Sequence, residues 1–243
     1  MIRLALILAA WMGLAAQAAA ETVVAGLSRD AISITTNFEG SEILIFGAVR
    51  REAPPPQGSE MEVIVTVEGP ARPVTVRRKD RRFGIWVNTD AIEVDAAPTF
   101  YAVATTDELE SVITFTEDLR RRVSIPWAIR AVGTGAADRD AFLDALVRVR
   151  TEAGLYQLNE GAVTLRDQTL FDTSIQLPAN LVEGDYRTRI FLTREGEVVD
   201  VYSQDIAVRK VGLERWIYNL AYGQPLVYGI LSLTIAIAAG WLA

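Results

Sequence analysis

The chain contains no cysteine and no histidine among its 243 residues. Their absence excludes thiolate catalysis, histidine-based triads, ordinary zinc sites and haem ligation by histidine. The chemistry that remains is that of carboxylates, hydroxyls and lysines, and the carboxylate pair of a glycoside hydrolase can be far apart in sequence. We find no glycine-rich phosphate loop and no nucleophile elbow. We therefore expect no catalytic, cofactor-binding or metal site, and keep a carboxylate-dependent hydrolase as the alternative.

Two charged clusters are the other candidates for binding chemistry. Asp107, Glu108 and Glu110 lack the alternating Asp/Asn loop with glycine that calcium sites use, so we predict no metal there. The segment 77–82, Arg-Arg-Lys-Asp-Arg-Arg, could face anionic lipid or an acidic partner. Because Asp80 interrupts the run and turns are usually charged, we favour a solvated hairpin tip between two strands.

The first residues read as an export signal. Arg3 precedes the apolar stretch 4–14, and three alanines at 18–20 form a small-residue cleavage site before Glu21. We predict a signal peptide over residues 1–20; the alternative is an uncleaved signal anchor. In both cases the chain from Glu21 onward lies outside the cytoplasm.

The last residues are predicted to contact the membrane in two ways. Residues 212–223 form an amphipathic stretch, either a helix lying in the headgroup region or a helix covering the preceding domain. Residues 224–243 are predicted to form one transmembrane helix, because 226–243 contain no charged side chain and 18 residues would span about 27 Å. The predicted anchor residues are Trp216, Tyr222, Pro225, Tyr228, Ile235 and Trp241.

The orientation of this predicted span depends on the signal peptide. Arg209, Lys210 and Arg215 precede the span, and no basic residue follows it. The positive-inside rule therefore does not support a periplasmic ectodomain. With export, the prediction is a single-pass inner-membrane protein whose ectodomain lies in the periplasm.

Between these ends the chain is predicted to be mainly β, of the α+β class. Residues 21–106 contain about seven short segments rich in Val, Ile, Thr and Phe, separated by turn residues, which predicts an immunoglobulin-like β-sandwich. Without the Cys–Trp–Cys arrangement of immunoglobulins, Trp86 is interpreted as a core aromatic. Residues 107–211 are predicted to form a second β-rich domain with packed helices.

The helical prediction in this second domain comes from apolar spacing. Leu109, Val112, Ile113, Thr116 and Leu119 fit one helical face, although β-branched residues weaken the pattern. Further along, helical spacing predicts that Phe142 and Leu146 are buried against a sheet; Asp138 is the N-cap candidate and Gly154 lies near the end. Strands 162–166 and 169–176 are expected to pair across Asp167-Gln168, and 185–194 with 197–208 across Glu195-Gly196.

Several short motifs resemble those of a known family. They include Gly154-Leu155-Tyr156, Leu177-Pro178-Ala179-Asn180, Lys210-Val211-Gly212-Leu213-Glu214, Gln224-Pro225-Leu226 and Gly240-Trp241. With Gly84-Ile85-Trp86-Val87-Asn88 upstream, the chain resembles the alphaproteobacterial putative transmembrane protein family (Alph_Pro_TM). The resemblance implies an exported, single-span protein with no assigned activity, linked to sulfite-exporter-like permeases.

The sequence thus favours a non-catalytic function. We expect a periplasmic module held by the lipid bilayer that binds or supports another membrane protein, and the resemblance points to a small-anion permease. The mature chain is acidic, with a net charge of −7 before removal of residues 1–20, so nucleic acid is not an expected partner. Envelope adhesion or scaffolding is the third interpretation.

Overall fold

In a computed structural model of the chain, the described residues are 21–35, 38–51, 58–131, 139–211 and 213–242. The predicted signal peptide 1–20, the N-cap candidate Asp138 and Gly212 lie outside them. The strands are β1 Glu21–Leu27, β2 Ala31–Ile34, β3 Ser41–Arg51, β4 Met61–Glu68, β5 Ala71–Arg82, β6 Ile85–Pro98, β7 Tyr101–Thr105, β8 Tyr156–Asn159, β9 Thr164–Arg166, β10 Leu170–Leu177, β11 Gly184–Arg194 and β12 Glu197–Lys210. The helices are α1 Leu109–Val112, α2 Phe115–Arg121, α3 Ile125–Ala128, α4 Arg139–Glu152, α5 Leu213–Gly223 and α6 Pro225–Leu242.

Two sheets pack face to face around the main core. The four-stranded sheet has the order β1-β3-β10-β9, and the six-stranded sheet has the order β2-β12-β11-β4-β7-β8. Strand pairing is antiparallel except for β2 with β12 and β7 with β8. Alternate residues of each strand point inward. Ile43 and Ile45 of one sheet thereby join Val65 and Ile190 of the other in a single buried cluster.

This arrangement shows that the predicted division into domains 21–106 and 107–211 is wrong. β3 pairs with the whole of β10, and β4 pairs with β11, so each sheet contains strands from both stretches. The mainly β class is confirmed, but the sandwich needs strands from the whole of 21–210 and is not the predicted immunoglobulin-like unit. Apolar alternation shows which face of a strand is buried, while its hydrogen-bonding partner can be far away in sequence.

Three short helices cover part of the outer face of the six-stranded sheet. Leu109 and Val112 of α1, with Val123, are buried against Tyr101 and Phe191. The helical face predicted over 109–119 is divided, because Ile113 is extended and Thr114 caps α2. The backbone N–H of Thr114 donates to Gly196 O at 2.8 Å, which fixes this interruption. Pro126 lies in the first turn of α3, where a missing N–H costs nothing.

The remaining strands, β5 and β6, form a separate two-stranded antiparallel hairpin. α4 packs on its base, where Leu146 contacts a buried group that includes Val94 and Ala97. The predicted burial of Phe142 and Leu146 is confirmed, with 5% and 6% of their surface exposed. The interpretation of Trp86 as a core aromatic is wrong, since 68% of its surface is exposed. Trp86 lies close to the hairpin turn, where every residue from 79 to 86 is exposed.

Both predicted tight turns are confirmed. β9 and β10 pair across a loop of three residues, 167–169, in which the predicted turn residues Asp167 and Gln168 both have positive φ, while Thr169 belongs to the loop and not to the strand. β11 and β12 pair across Glu195-Gly196, which also have positive φ. The two-residue β11–β12 loop carries the left-handed conformation that matches the twist of the adjoining strands.

Candidate functional site

The outer face of the four-stranded sheet carries a group of apolar side chains. Val24, Leu44, Phe46 and Leu170 are each between 43% and 57% exposed. The strand register places Ala48 between Val24 and Leu170, and Phe46 on the neighbouring row. These five residues are called the apolar sheet face below. A contiguous exposed apolar group on a sheet is typical of a surface that contacts another molecule.

Two glycines shape the apolar sheet face. Gly26 lies opposite Phe46 on the neighbouring strand, and a Cβ added to Gly26 would lie 3.3 Å from the Phe46 ring. Gly47 lies above Phe171, whose ring would be 2.5 Å from an added Cβ. The glycines thus leave room for the Phe46 ring on the outer surface and for the Phe171 ring in the core beneath it. A depression of about 650 Å³ results, lined by residues that include Val24, Phe46 and Leu170.

The rim of this face is charged. Arg166 and Asp172 form an ion pair at 3.1 Å beside Leu170. Glu42 and Arg50 are exposed on β3, beyond Leu44 and Ala48 respectively. An apolar centre with a polar rim is the usual composition of a protein–protein contact surface.

The predicted membrane-anchor residues lie on the last two helices. Trp216 and Tyr222 are on α5, exposed by 53% and 74%, and the rings of Tyr218 and Tyr222 are 4.5 Å apart. Pro225 is the first residue of α6, which also carries the other three: Tyr228, Ile235 and Trp241. Among the described residues, no helix is both long and apolar enough to cross a membrane. The predicted transmembrane helix therefore stays a prediction.

Among the described residues, Glu21 and Glu117 are buried, and each is held by arginines. Glu21 accepts a hydrogen bond from Arg51 Nε at 2.9 Å and two from Arg194 Nη2 at 2.9 and 3.0 Å. Because Arg51 belongs to β3 and Arg194 to β11, this group joins the two sheets. Glu117 accepts hydrogen bonds from Arg120 and Arg121 of its own helix. Carboxylates held in this way are ion-pair partners with fixed geometry, which suits a structural role.

A buried tyrosine organises the helical cover. The Tyr101 hydroxyl donates to Val123 O at 2.7 Å and receives a hydrogen bond from Arg189 Nη2 at 3.2 Å. Arg189 also donates to the backbone carbonyls of Arg121 and Arg122 at the end of α2. Burial raises the pKa of the Tyr101 phenol above its ordinary value, although the Arg189 charge opposes this. Tyr101 therefore remains protonated and serves as a hydrogen-bond donor.

The acidic residues near the start of α1 do not come together as a site. Asp107 accepts a hydrogen bond from the backbone N–H of Glu108 at 2.8 Å, which is a local turn contact. Within the part of the chain that the structure describes, no group of three or more carboxylates could hold a metal ion. The basic residues 77–82 lie at the end of the β5–β6 hairpin, as the sequence indicated.

Comparison with known families supplies the broader relationship. The profile of the family described as "Putative transmembrane protein (Alph_Pro_TM)" matches residues 22–243. The chain belongs to this family. The match extends through the sandwich, the hairpin and both C-terminal helices, and it confirms the resemblance seen in the short motifs.

Two other comparisons add less. A search of curated proteins found no match. Among solved structures, the sporulation control protein Spo0M from Bacillus subtilis is similar at 11% identity, with a TM-score of 0.28, over 84% of this chain and 54% of that one. This Alph_Pro_TM protein thus spans about half the length of Spo0M.

The apolar sheet face of this Alph_Pro_TM protein was missed in the sequence. The signal was present in β3, where Ile43, Leu44, Ile45 and Phe46 are consecutive apolar residues. In a strand with one solvated face, every second residue would be polar. An unbroken apolar run therefore indicates that both faces of the strand contact apolar surroundings.

Proposed function

We propose that this chain is a non-catalytic, membrane-anchored periplasmic module that binds another envelope protein through the apolar sheet face. The observation that carries the proposal is the exposure of Val24, Leu44, Phe46 and Leu170 on one side of the four-stranded sheet. Full burial of a side chain of this size contributes about 1.5–3 kcal/mol. Because these side chains are already about half buried, a partner that covered this face would gain roughly half of that free energy for each of them.

The partner we propose is an integral membrane protein. Membership in a family described as transmembrane supports a membrane location for this chain, where such a partner would be close at hand. The resemblance to a family linked to sulfite-exporter-like permeases narrows the proposal to a small-anion permease. The charged rim formed by Arg166 and Asp172 would fix the orientation of the bound partner. A partner bound in another orientation would place apolar groups against these charges, which is unfavourable.

We propose that α6 is the anchor, with Glu21 onward outside the cytoplasm. Its sequence contains no charged side chain, and Leu226, Ile230, Leu233, Ile235 and Ile237 are all more than half exposed. So much apolar surface on one helix needs an apolar environment. Ile235→Asp places a charge at the centre of the helix, which costs about 3 kcal/mol of insertion free energy. We expect alkali to extract this variant from membranes, while Ile235→Leu remains in the pellet.

Site-specific photocrosslinking in intact cells tests the docking proposal. A photoreactive amino acid at Leu44 should give a covalent adduct with an integral membrane protein of the transporter class. Phe46→Glu, which puts a charge in the centre of the face, should abolish the adduct. Ser203→Glu changes an exposed residue on β12 of the other sheet and should leave it intact.

Three results would contradict the proposal. One is an adduct that survives Phe46→Glu unchanged. A second is an adduct formed only between two copies of this chain, which would make the face a self-association surface. The third is a Leu44 probe that reacts only with water.

A further inference from the structure

The β5–β6 hairpin continues the sandwich at one end. The β4–β7 ladder extends into it, because Gly69 N–H donates to Phe100 O at 2.8 Å and Thr99 N–H donates to Pro70 O at 3.0 Å. α4 supports only the first part of the hairpin. Arg78 of β5 contacts α4 through its guanidinium, which lies 4.6 Å from the centre of the Phe142 ring.

Beyond Arg78 the hairpin is surrounded by solvent. Every residue from 79 to 86 is exposed. At about 3.3 Å per residue, the four steps along β5 from Arg78 to Arg82 extend about 13 Å past this contact, and the turn residues Phe83 and Gly84 lie at the end. The described part of the chain thus has a long arm with a free end.

The end of the arm is apolar, and its geometry is unusual. Phe83 and Gly84 form a two-residue turn in which both have positive φ, 51° and 85°. Such turns favour Asn, Asp or Gly, and an aromatic residue there is strained. Phe83 is nonetheless fully exposed, and Ile85 and Trp86 beside it are 64% and 68% exposed. Nothing in the fold requires these three apolar side chains at a strained, solvent-exposed turn.

Behind the apolar end lies a concentration of positive charge. The segment 77–82 has five basic residues and one acidic residue, in a chain whose net charge is −7. Arg81 lies opposite Trp86 in the hairpin, and Arg82 lies opposite Ile85 and pairs with Asp80 at 3.2 Å. Arg81 and Arg82 directly precede the apolar tip. Apolar side chains with arginines this close to them suit the boundary between acyl chains and anionic headgroups.

The arm also leaves the same end of the six-stranded sheet as the chain that leads to α5. Gly184 pairs with Val208, two residues before the end of β12 at Lys210. A Cβ added to Gly184 would lie 2.6 Å from the Pro70 ring, which directly precedes β5. The base of the arm and the start of the C-terminal helices are therefore neighbours.

We infer that the tip of the β5–β6 hairpin inserts into the headgroup region of an anionic bilayer. Phe83, Ile85 and Trp86 enter the boundary with the acyl chains, while Lys79 and Arg81 contact lipid phosphates. A protein partner is the weaker alternative, because a standard interface buries about 800 Å² on each side, and a two-stranded tip with three apolar residues offers little surface. The inference goes beyond the proposed docking face and is independent of it.

The absence of cysteine permits single-site labelling of the full chain. We would attach an environment-sensitive fluorophore at Ile85→Cys and, for comparison, at Glu197→Cys at the opposite end of the same sheet, and at Trp241→Cys on α6. Each labelled protein is reconstituted into vesicles of phosphatidylglycerol and phosphatidylcholine that contain no other protein. We expect the label at position 85 to shift to the blue and to be quenched by a quencher in the lipid chains. The label at position 197 should stay in water.

Charge and salt give the second part of the test. Lys79→Glu with Arg81→Glu should lower the equilibrium constant for tip insertion by at least about thirtyfold, since each basic residue near an anionic surface contributes about fivefold. High salt should release the tip of the unmodified arm, which gives a readout even if the double variant does not fold. Vesicles of phosphatidylcholine alone should give a much smaller shift.

The outcomes separate the inference from the proposed anchor. The label at position 241 shows whether α6 is in the bilayer. The label at position 85 shows whether the hairpin tip is in the bilayer, and it tests the inference independently of the result at position 241. If position 85 stays in water in anionic vesicles, the inference is overturned. It is also overturned if position 85 is shielded only in native membranes, which would assign the tip to a protein partner.

Discussion

Phe171 and Trp86 are both aromatic residues on β-strands, yet 2% of the first and 68% of the second is exposed. Phe171 lies on β10 between the two sheets, and Gly47 makes room for its ring. Trp86 lies on β6, nearer the hairpin turn than the residues that contact α4. The same kind of residue is therefore a core residue in one strand and a surface residue in another, because only a second layer of structure buries a strand face.

The hairpin shows this difference within a single element. Near its base Val94 and Ala97 are fully buried beneath Leu146 of α4. Near its tip Ile85 and Phe83 are exposed. The base of the hairpin thus contributes to the stability of the fold, while its tip is available for contact with other molecules. We expect substitutions at the tip to leave the packing at the base unchanged.

Among the substitutions that test this comparison, we expect the largest loss of stability at Phe171. Phe171→Ala should lower the free energy of unfolding by about 3–5 kcal/mol, because it leaves a cavity between the sheets. Urea denaturation of the detergent-solubilised chain measures it. The matched control is Trp86→Ala, which should change the value by at most about 0.5 kcal/mol. Equal losses in the two variants would contradict the comparison.

Leu146→Ala tests the contact between α4 and the base of the hairpin. It should cost about 2–5 kcal/mol, because Leu146 is almost fully buried. Hydrogen exchange then shows where the loss occurs: amides of β6 should exchange faster, while those of β4 should change less. An unchanged unfolding midpoint would show that α4 does not hold the hairpin.

The third prediction concerns Tyr156, which joins β8 to the base of the hairpin. Burial raises its pKa from 10.0 to about 12, against the opposing charge of Arg150. In the unfolded chain the phenol ionises first as pH rises, so the folded state loses stability between about pH 10 and pH 12. Over this range the loss is on the order of 2 kcal/mol for this group.

Tyr156→Phe gives the control for this pH dependence. The Tyr156 hydroxyl donates to Pro98 O at 2.9 Å, so the variant loses a hydrogen bond at neutral pH. Its stability should nevertheless fall less steeply above pH 10 than that of the original chain. Parallel curves of stability against pH would show that Tyr156 does not contribute.

The smallest expected effect is at the turn of the hairpin. Phe83→Asn replaces an aromatic residue with one that tolerates positive φ, so the free energy of unfolding should rise or change by less than about 0.5 kcal/mol. Differential scanning calorimetry measures this change. A large destabilisation would mean that Phe83 packs against the fold, in conflict with its exposure.

Several features could be predicted from the sequence because they depend on neighbours along the chain. The Asp167-Gln168 and Glu195-Gly196 turns and the buried face formed by Phe142 and Leu146 were correct, since turn conformation and helical spacing are local properties. The absence of cysteine and histidine limited the available chemistry without any structure. Short motifs were enough to indicate the family.

The tertiary structure alone decided the partners of each strand and the exposure of its faces. β3 pairs with β10 across more than a hundred residues, which removed the predicted boundary at 106. The exposed side chains of Leu44 and Phe46 and the solvated position of Trp86 depend on whether another layer covers them. The apolar run 43–46 indicates that both faces of β3 contact apolar surroundings, but it does not show what covers each face, because hydrophobic burial has no direction and requires only that some apolar surface is close enough to exclude water.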